Sequence, residues 1–393
     1  MTEEITTTSW FTRLKNALIG ILVGIALIIG AIVLIFWNEG HSLHTAQSLE
    51  QTRKAVTPVA KAPINNQNNL KVVYLSGLAT TNDKLVDPLL GITVTAINLD
   101  RKVEMYQWQE HSETKTEKQI GGSEKQTKTY TYNKVWSNHL IDSSTFHDQA
   151  GHQNPTSMSI QSQLQYATKV TLGDFILPGE LIRQINVSQP VNLAQVNQES
   201  LKSQSNKPVQ LSNSELYLGQ NSQTPETGDL RIAVTAAYPQ DVSIIAQQTG
   251  NTLQPYHAPA GEDIMLLSTG QHSSDQMIDD AKAQNKLMTW VLRAVALAML
   301  IIGFSLIMNP LVVLADVLPF LGSIVGFGTG LISFLCGASV WLIATAIAWF
   351  TIRPFVSIGL LLIMVIGWFT LVKTRKASIP PEPATQGASL RKG

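Results

Sequence analysis

Cysteine is nearly missing from this sequence: Cys336 is the only one among 393 residues. One thiol permits no intrachain disulfide and no CxxC-type zinc site, so a folded domain outside the cytosol is held by its core and hydrogen bonds alone. An excess of either charge is also missing. The 28 Lys and Arg balance 28 Asp and Glu, and no basic surplus points to nucleic acid. Catalytic signatures are equally scarce. There is no GxSxG elbow, no Walker A loop, no dinucleotide fingerprint and no HExxH pair.

What is present is an uneven distribution. Polar residues gather between Glu39 and Lys286, and both ends are apolar. Residues 17–37 form an uncharged run long enough to cross a hydrocarbon core of about 30 Å. The run ends in Phe36-Trp37-Asn38-Glu39-Gly40 rather than at a small-residue cleavage site, which marks a retained anchor. A second apolar region divides into residues 287–308, stopped by Asn309-Pro310, and residues 324–350. Residues 354–372 follow a turn at Arg353-Pro354. Residues 309–323, with Asp316 and Pro319, read as an interfacial or re-entrant connection. The expected fold class is a multi-pass α-helical membrane protein of four spans, with a large β-rich (α+β) extracytoplasmic domain between the first two.

Orientation follows from flanking cations. Arg13 and Lys15 precede the first run, and Lys373, Arg375 and Lys376 follow the last. Residues 1–16 are thus expected in the cytosol, as is a disordered tail over residues 373–393. Residues 40–286 then face a periplasm or lumen.

Within that domain the clearest pattern is a long antiparallel hairpin. Val103–Glu110 and Thr127–Trp136 alternate in a strand-like way around Gly121-Gly122. A helix over residues 40–56, a linker over 57–69 and strands near 70–76, 168–172, 231–237, 242–248 and 265–267 complete the reading. Residues 274–287 form a helix feeding the second span.

Few residues point to chemistry. His147, Asp148 and His152 share one loop and offer a polar site, or at most a weak metal or base site, although a loop held by polar side chains explains them as well. No catalytic, cofactor or metal residue is assigned. Gly20 with Gly24, Gly322 with Gly326 and Gly326 with Gly330 have GxxxG spacing, which lets membrane helices approach closely. Their packing is expected within the bundle. Arg293, Asp316 and Arg353 fall near span edges, which favours anchoring over transport.

Together these residues resemble the transmembrane protein 43 (LUMA) family nearly end to end. The markers are Phe36-Trp-Asn-Glu-Gly40, Ser76-Gly77, Val103-Glu-Met-Tyr-Gln-Trp108, Tyr130-Thr-Tyr-Asn133 with Trp136, Gly151-His-Gln-Asn-Pro155, Gly228-Asp-Leu-Arg231, Leu292-Arg-Ala294, and Trp349 with Arg353-Pro354. The resemblance implies four spans and a lumenal or periplasmic domain. In animal members it implies the endoplasmic reticulum and nuclear inner membrane, nuclear-envelope organisation, self-association, and emerin and lamin partners. The Gln- and Asn-rich composition favours a bacterial member in an inner membrane, to which those partners do not transfer. The family brings no catalytic residues. The expected function is a non-enzymatic membrane scaffold that self-associates through its helices and binds a protein or lipid partner. The alternative is an envelope enzyme or lipid-handling protein using the loop at His147, Asp148 and His152.

Overall fold

A computed structural model describes residues 2–212 and 214–350, with isolated positions between 358 and 366. The fourth expected span, Arg353 and the C-terminal tail lie outside the described residues as continuous segments. The chain divides into two compact units. One holds residues 1–8, 43–118 and 124–287; the other holds residues 9–42, 119–123 and 288–393.

The first unit is β-rich. Its larger sheet runs in the order Thr2–Thr8, Glu124–Ser137, Asn98–Lys118, Leu230–Ala237, Glu215–Leu218, Val209–Ser212. Its second sheet closes on itself. Gln240–Thr249 pairs with Val72–Thr80, and the ring returns through Thr171–Leu172, Phe175–Ile176 and Thr252–Gln254. Alternation along the strands feeds two cores. Ala236 packs with Leu99, Val103 and Leu230 in one, while the next residue, Ala237, packs with Ile97, Phe175 and Ile244 in the other. A third cluster joins Leu49, Met277 and Ile278 to Val72 and Ile245. It seats the ends of two long helices on the domain, where Lys282 also meets Glu50 at 2.5 Å.

The hairpin is longer than its sequence pattern suggests. Asn98–Lys118 runs for 21 residues and pairs with Glu124–Ser137 from Met105↔Ser137 to Lys118↔Glu124. Its outer half carries polar, exposed residues, so the alternation that reveals a half-buried strand disappears there. Residues 2–8, expected in the cytosol, form a strand on that outer half, from Thr2↔Tyr130 to Thr8↔Glu124. Flanking cations predict opposite faces of the membrane for these two segments. The β-branched Thr2–Thr8 run supplies backbone partners to a strand edge that would otherwise stand open.

Among the described residues three helices are long and apolar enough to cross a membrane, and their apolar parts make up most of the second unit: Trp10–Ala55, Ser274–Ala315 and Pro319–Phe350. The first continues past the span into the expected 40–56 helix, and the second begins in the expected 274–287 helix. One boundary is corrected. Asn309-Pro310 does not stop the second helix, which carries Pro310 inside it and ends at Ala315. Proline forfeits one hydrogen bond, a loss that neighbouring helices compensate in a membrane bundle. Pro319 starts the third helix, where its missing N–H costs nothing. Between Ala315 and Pro319 the 309–323 connection leaves only the turn at Asp316, Val317 and Leu318 outside the helices.

Candidate functional site

Charges in the helical unit meet in pairs. Glu39 follows the aromatic end of the first apolar run, and Arg293 lies nearly two turns into the apolar part of the second helix. Arg293 donates from Nε and Nη2 to the two Glu39 oxygens at 2.6 and 2.7 Å. Both side chains are at least nine-tenths buried. The guanidinium lies between the rings of Trp290 and Trp349, at 4.8 and 4.9 Å from their centroids. Trp349 Nε1 also donates to Glu39, at 2.5 Å. Around this core, Asn38 donates to the Thr289 carbonyl and Thr289 bonds Ser42.

A second pair lies towards the other end. Arg13 donates to Asp316 at 2.5 Å and to the Gly122 carbonyl at 2.6 Å. Asp316 is fully buried. Trp10 Nε1 donates to Val313 O, and Gly121 N–H donates to Val317 O. Residues 13 and 39 are separated by about 39 Å of helix. Residues 293 and 316 are separated by about 35 Å. Both spacings approach the thickness of a bilayer with its headgroups, about 40–45 Å. Both acids are buried, and each has an arginine within hydrogen-bond distance in a place where an unpaired charge is costly.

Between the pairs, glycines set the helix spacing. A Cβ on Gly24 would come 2.6 Å from Gly303 O, and one on Gly303 would come 2.9 Å from Gly24 O. Gly337 packs likewise on the backbone of Ile301. Among the residues singled out from the sequence, Gly24 is in close contact, Gly20 and Gly326 make ordinary contacts with Leu306 and Val312, and Gly330 faces open space. Gly322 lies against the Asp316 carboxylate, where no side chain would fit. Gly303, Gly337, Glu39 and Trp349 were missed as site residues. An isolated glycine within a span was the available signal for the first two. A lone acid at the end of one span and a lone Arg at the start of the next was the signal for Glu39.

In the β-rich unit the loop holding His147, Asp148 and His152 covers the hairpin's aromatic face. Tyr106, Trp108, Tyr130, Tyr132 and Trp136 share that face through the register Tyr106↔Trp136 and Trp108↔Lys134. His147 stacks on Tyr130 at 4.2 Å and His152 on Tyr132 at 3.9 Å. The imidazoles therefore stack on different rings rather than converge. Glu110 accepts from the Tyr132 hydroxyl and from His147 N–H. Burial and that carboxylate push the Tyr132 phenol up. Asn154 clasps the loop, bonding Trp108 N, Trp108 O and Ile141 O. Among the described residues no group of three or more His, Cys, Asp or Glu is arranged to hold a metal.

Beside the hairpin, Gly228-Asp-Leu-Arg231 forms a buried node. Asp229 accepts from Lys207, Tyr217 and Glu226 N–H. Burial alone would raise its pKa, but these three donors outweigh it and hold the carboxyl low. Burial and the same carboxylate push Tyr217 well above the usual phenol range. Arg231 bonds Glu104 and lies over Trp136.

The long apolar helices, with the large β-rich unit, define an integral membrane protein with a substantial folded domain. The family model described as Transmembrane protein 43 matches residues 105–354. Transmembrane protein 43 of Rattus norvegicus is 30% identical over 353 residues, covering 87% of this chain and 86% of the relative. The Homo sapiens protein is 29% identical over 378 residues, covering 93% of each. The Drosophila melanogaster homolog is 28% identical over 354 residues, covering 87% and 91%. The chain belongs to the transmembrane protein 43 family, as its resemblance motifs imply. No solved structure matches it.

Proposed function

We propose that this chain is a non-enzymatic membrane scaffold. Its helices anchor it and associate with further copies, and its β-rich unit binds a protein or lipid partner. The observation that carries this reading is the mutual pairing of Glu39 with Arg293 and of Arg13 with Asp316. Charges committed to each other hold helices together; a solute pathway would need such groups exposed along it. The stacked loop at His147, Asp148 and His152 supports a structural role for those residues over a catalytic one. Crosslinking in native membranes, followed by identification of the adducts, tests the proposal. Self-adducts and a recurrent membrane partner are expected. A chain that remains a solitary monomer at every crosslinker length would overturn it.

A further inference from the structure

A cleft of about 730 Å³ opens in the β-rich unit beside the closed ring of strands. This volume falls in the ordinary range for small-molecule sites, and barrel mouths are a common place for them. Its lining combines apolar groups, from Pro58, Pro63, Ile64 and Phe175, with the carboxamides of Asn65, Gln67 and Gln248 among others. No charged side chain lines it.

The cleft is a built feature. Its rim, residues 59–69, is tied down along its length. Val59 N–H donates to Tyr74 O, Asp174 N–H to Lys61 O, and Leu70 N–H to Gln248 O. Asn65 Oδ1 caps the short turn by accepting from Gln67 N–H. Phe175, at 1% exposure, belongs to the core of the ring.

Gln248 is the informative residue. It is fully buried, and its Nε2 donates to Asn65 O and Gly250 O. Those two carbonyls fix the orientation of the carboxamide, since a flipped amide would place oxygen against oxygen. Its Oε1 then remains a buried acceptor with no partner. Such an atom in a side chain that lines a cleft is satisfied either by an ordered water or by a donor on a bound molecule.

We propose that this cleft binds a short uncharged peptide segment, which gives an N–H donor to Gln248 and packs a small apolar side chain on the apolar lining. The uncharged lining disfavours ionic ligands, because a desolvated charge would find no counter-charge. A peptide fits better than a sugar for two reasons. The apolar lining suits an aliphatic side chain. In addition, Thr57–Pro58 is the terminal strand of its sheet, so an extended segment meets a strand edge as well as the carboxamides. The proposal deepens the partner-binding reading by giving it a site.

The test uses the full chain in lipid nanodiscs and saturation-transfer NMR with N-acetyl-Val-Ala-amide as the probe. Its Asp- and Lys-containing analogues and methyl N-acetylglucosaminide serve as comparisons. The neutral peptide should give the signal and the charged analogues should not. Asn66→Trp, a substitution at an exposed rim position, should fill the cleft and abolish it. Gln248→Met should weaken binding by about ten-fold or more, because it removes the acceptor together with both Nε2 donations that hold the rim. A signal from the sugar in place of the peptide, equal signals from charged and neutral peptides, or binding unchanged in Asn66→Trp would each overturn the proposal. Crosslinked partners retained in Asn66→Trp would leave the scaffold reading intact while removing the cleft from it.

Discussion

At the scale of residues, the decisive contacts are those that neutralise buried charge. Glu39 and Arg293 have each lost most of their water, so removing one leaves the other without compensation. Glu39→Ala should therefore destabilise the helical unit by about 3–5 kcal/mol, read as a lower thermal midpoint of the detergent-solubilised chain. The paired replacement Glu39→Leu with Arg293→Met should cost much less than the two single losses added together. Trp290 and Trp349 fluorescence should respond in both cases, because the guanidinium lies between their rings. The Asp229 node gives a pH prediction. Asp229 titrates below its unfolded value near 3.8, so its stabilisation is complete above that pH and is lost as pH falls through the folded value. Tyr217 titrates above its unfolded value of 10.0, so its stabilisation is complete below pH 10 and fades as pH rises further. Urea unfolding of the β-rich unit should show both limbs, and Asp229→Asn should flatten the acid one.

At the scale of elements, glycine position separates packing from mere spacing. Gly24→Leu forces a side chain into the Gly303 backbone and should destabilise the bundle by about 1–3 kcal/mol. Gly330→Leu has the same chemistry but meets nothing within 4 Å, and the thermal midpoint should not move. Equal effects at both sites would show that the Gly24–Gly303 approach does not set helix spacing. The hairpin depends on a different device. Asn154 bonds both backbone groups of Trp108 and also Ile141 O, closing the loop over the aromatic face. Asn154→Ala should loosen the His147–His152 loop, raising its hydrogen exchange while Leu230–Ala237 remains protected.

At the scale of the whole molecule, the strand Thr2–Thr8 carries the largest consequence. Flanking cations place it across the membrane from residues 40–286, whereas its hydrogen bonds join it to that domain. Ile5 and Thr127 are direct cross-strand partners. Antiparallel partners have Cα separations of about 4.5–5.5 Å, close enough for a disulfide. Ile5→Cys with Thr127→Cys, in a Cys336→Ser background, should therefore oxidise to an intrachain bond in membranes. Failure to bond, together with thiol labelling from opposite faces, would favour the cation rule and dissolve the pairing.

The sequence by itself determined what depends on near neighbours. Runs of apolar residues announce membrane helices at residues 17–37, 287–308 and 324–350. Alternation with Gly121-Gly122 announces the hairpin, and the end-to-end motifs announce the family. Such signals are legible because helix and strand periods repeat every few residues. Tertiary structure decided the rest. Glu39 reads as the polar end of a span until Arg293 arrives from 254 positions away. Pro310 reads as a stop until the helix is found to run through it to Ala315. The His147–His152 loop reads as a run of polar residues until its rings are found stacked on Tyr130 and Tyr132. Thr2–Thr8 reads as a tail until a strand edge accepts it. Pro310 aside, the deciding partner is distant in sequence, and no local pattern records which distant group will compensate a buried charge or an open edge.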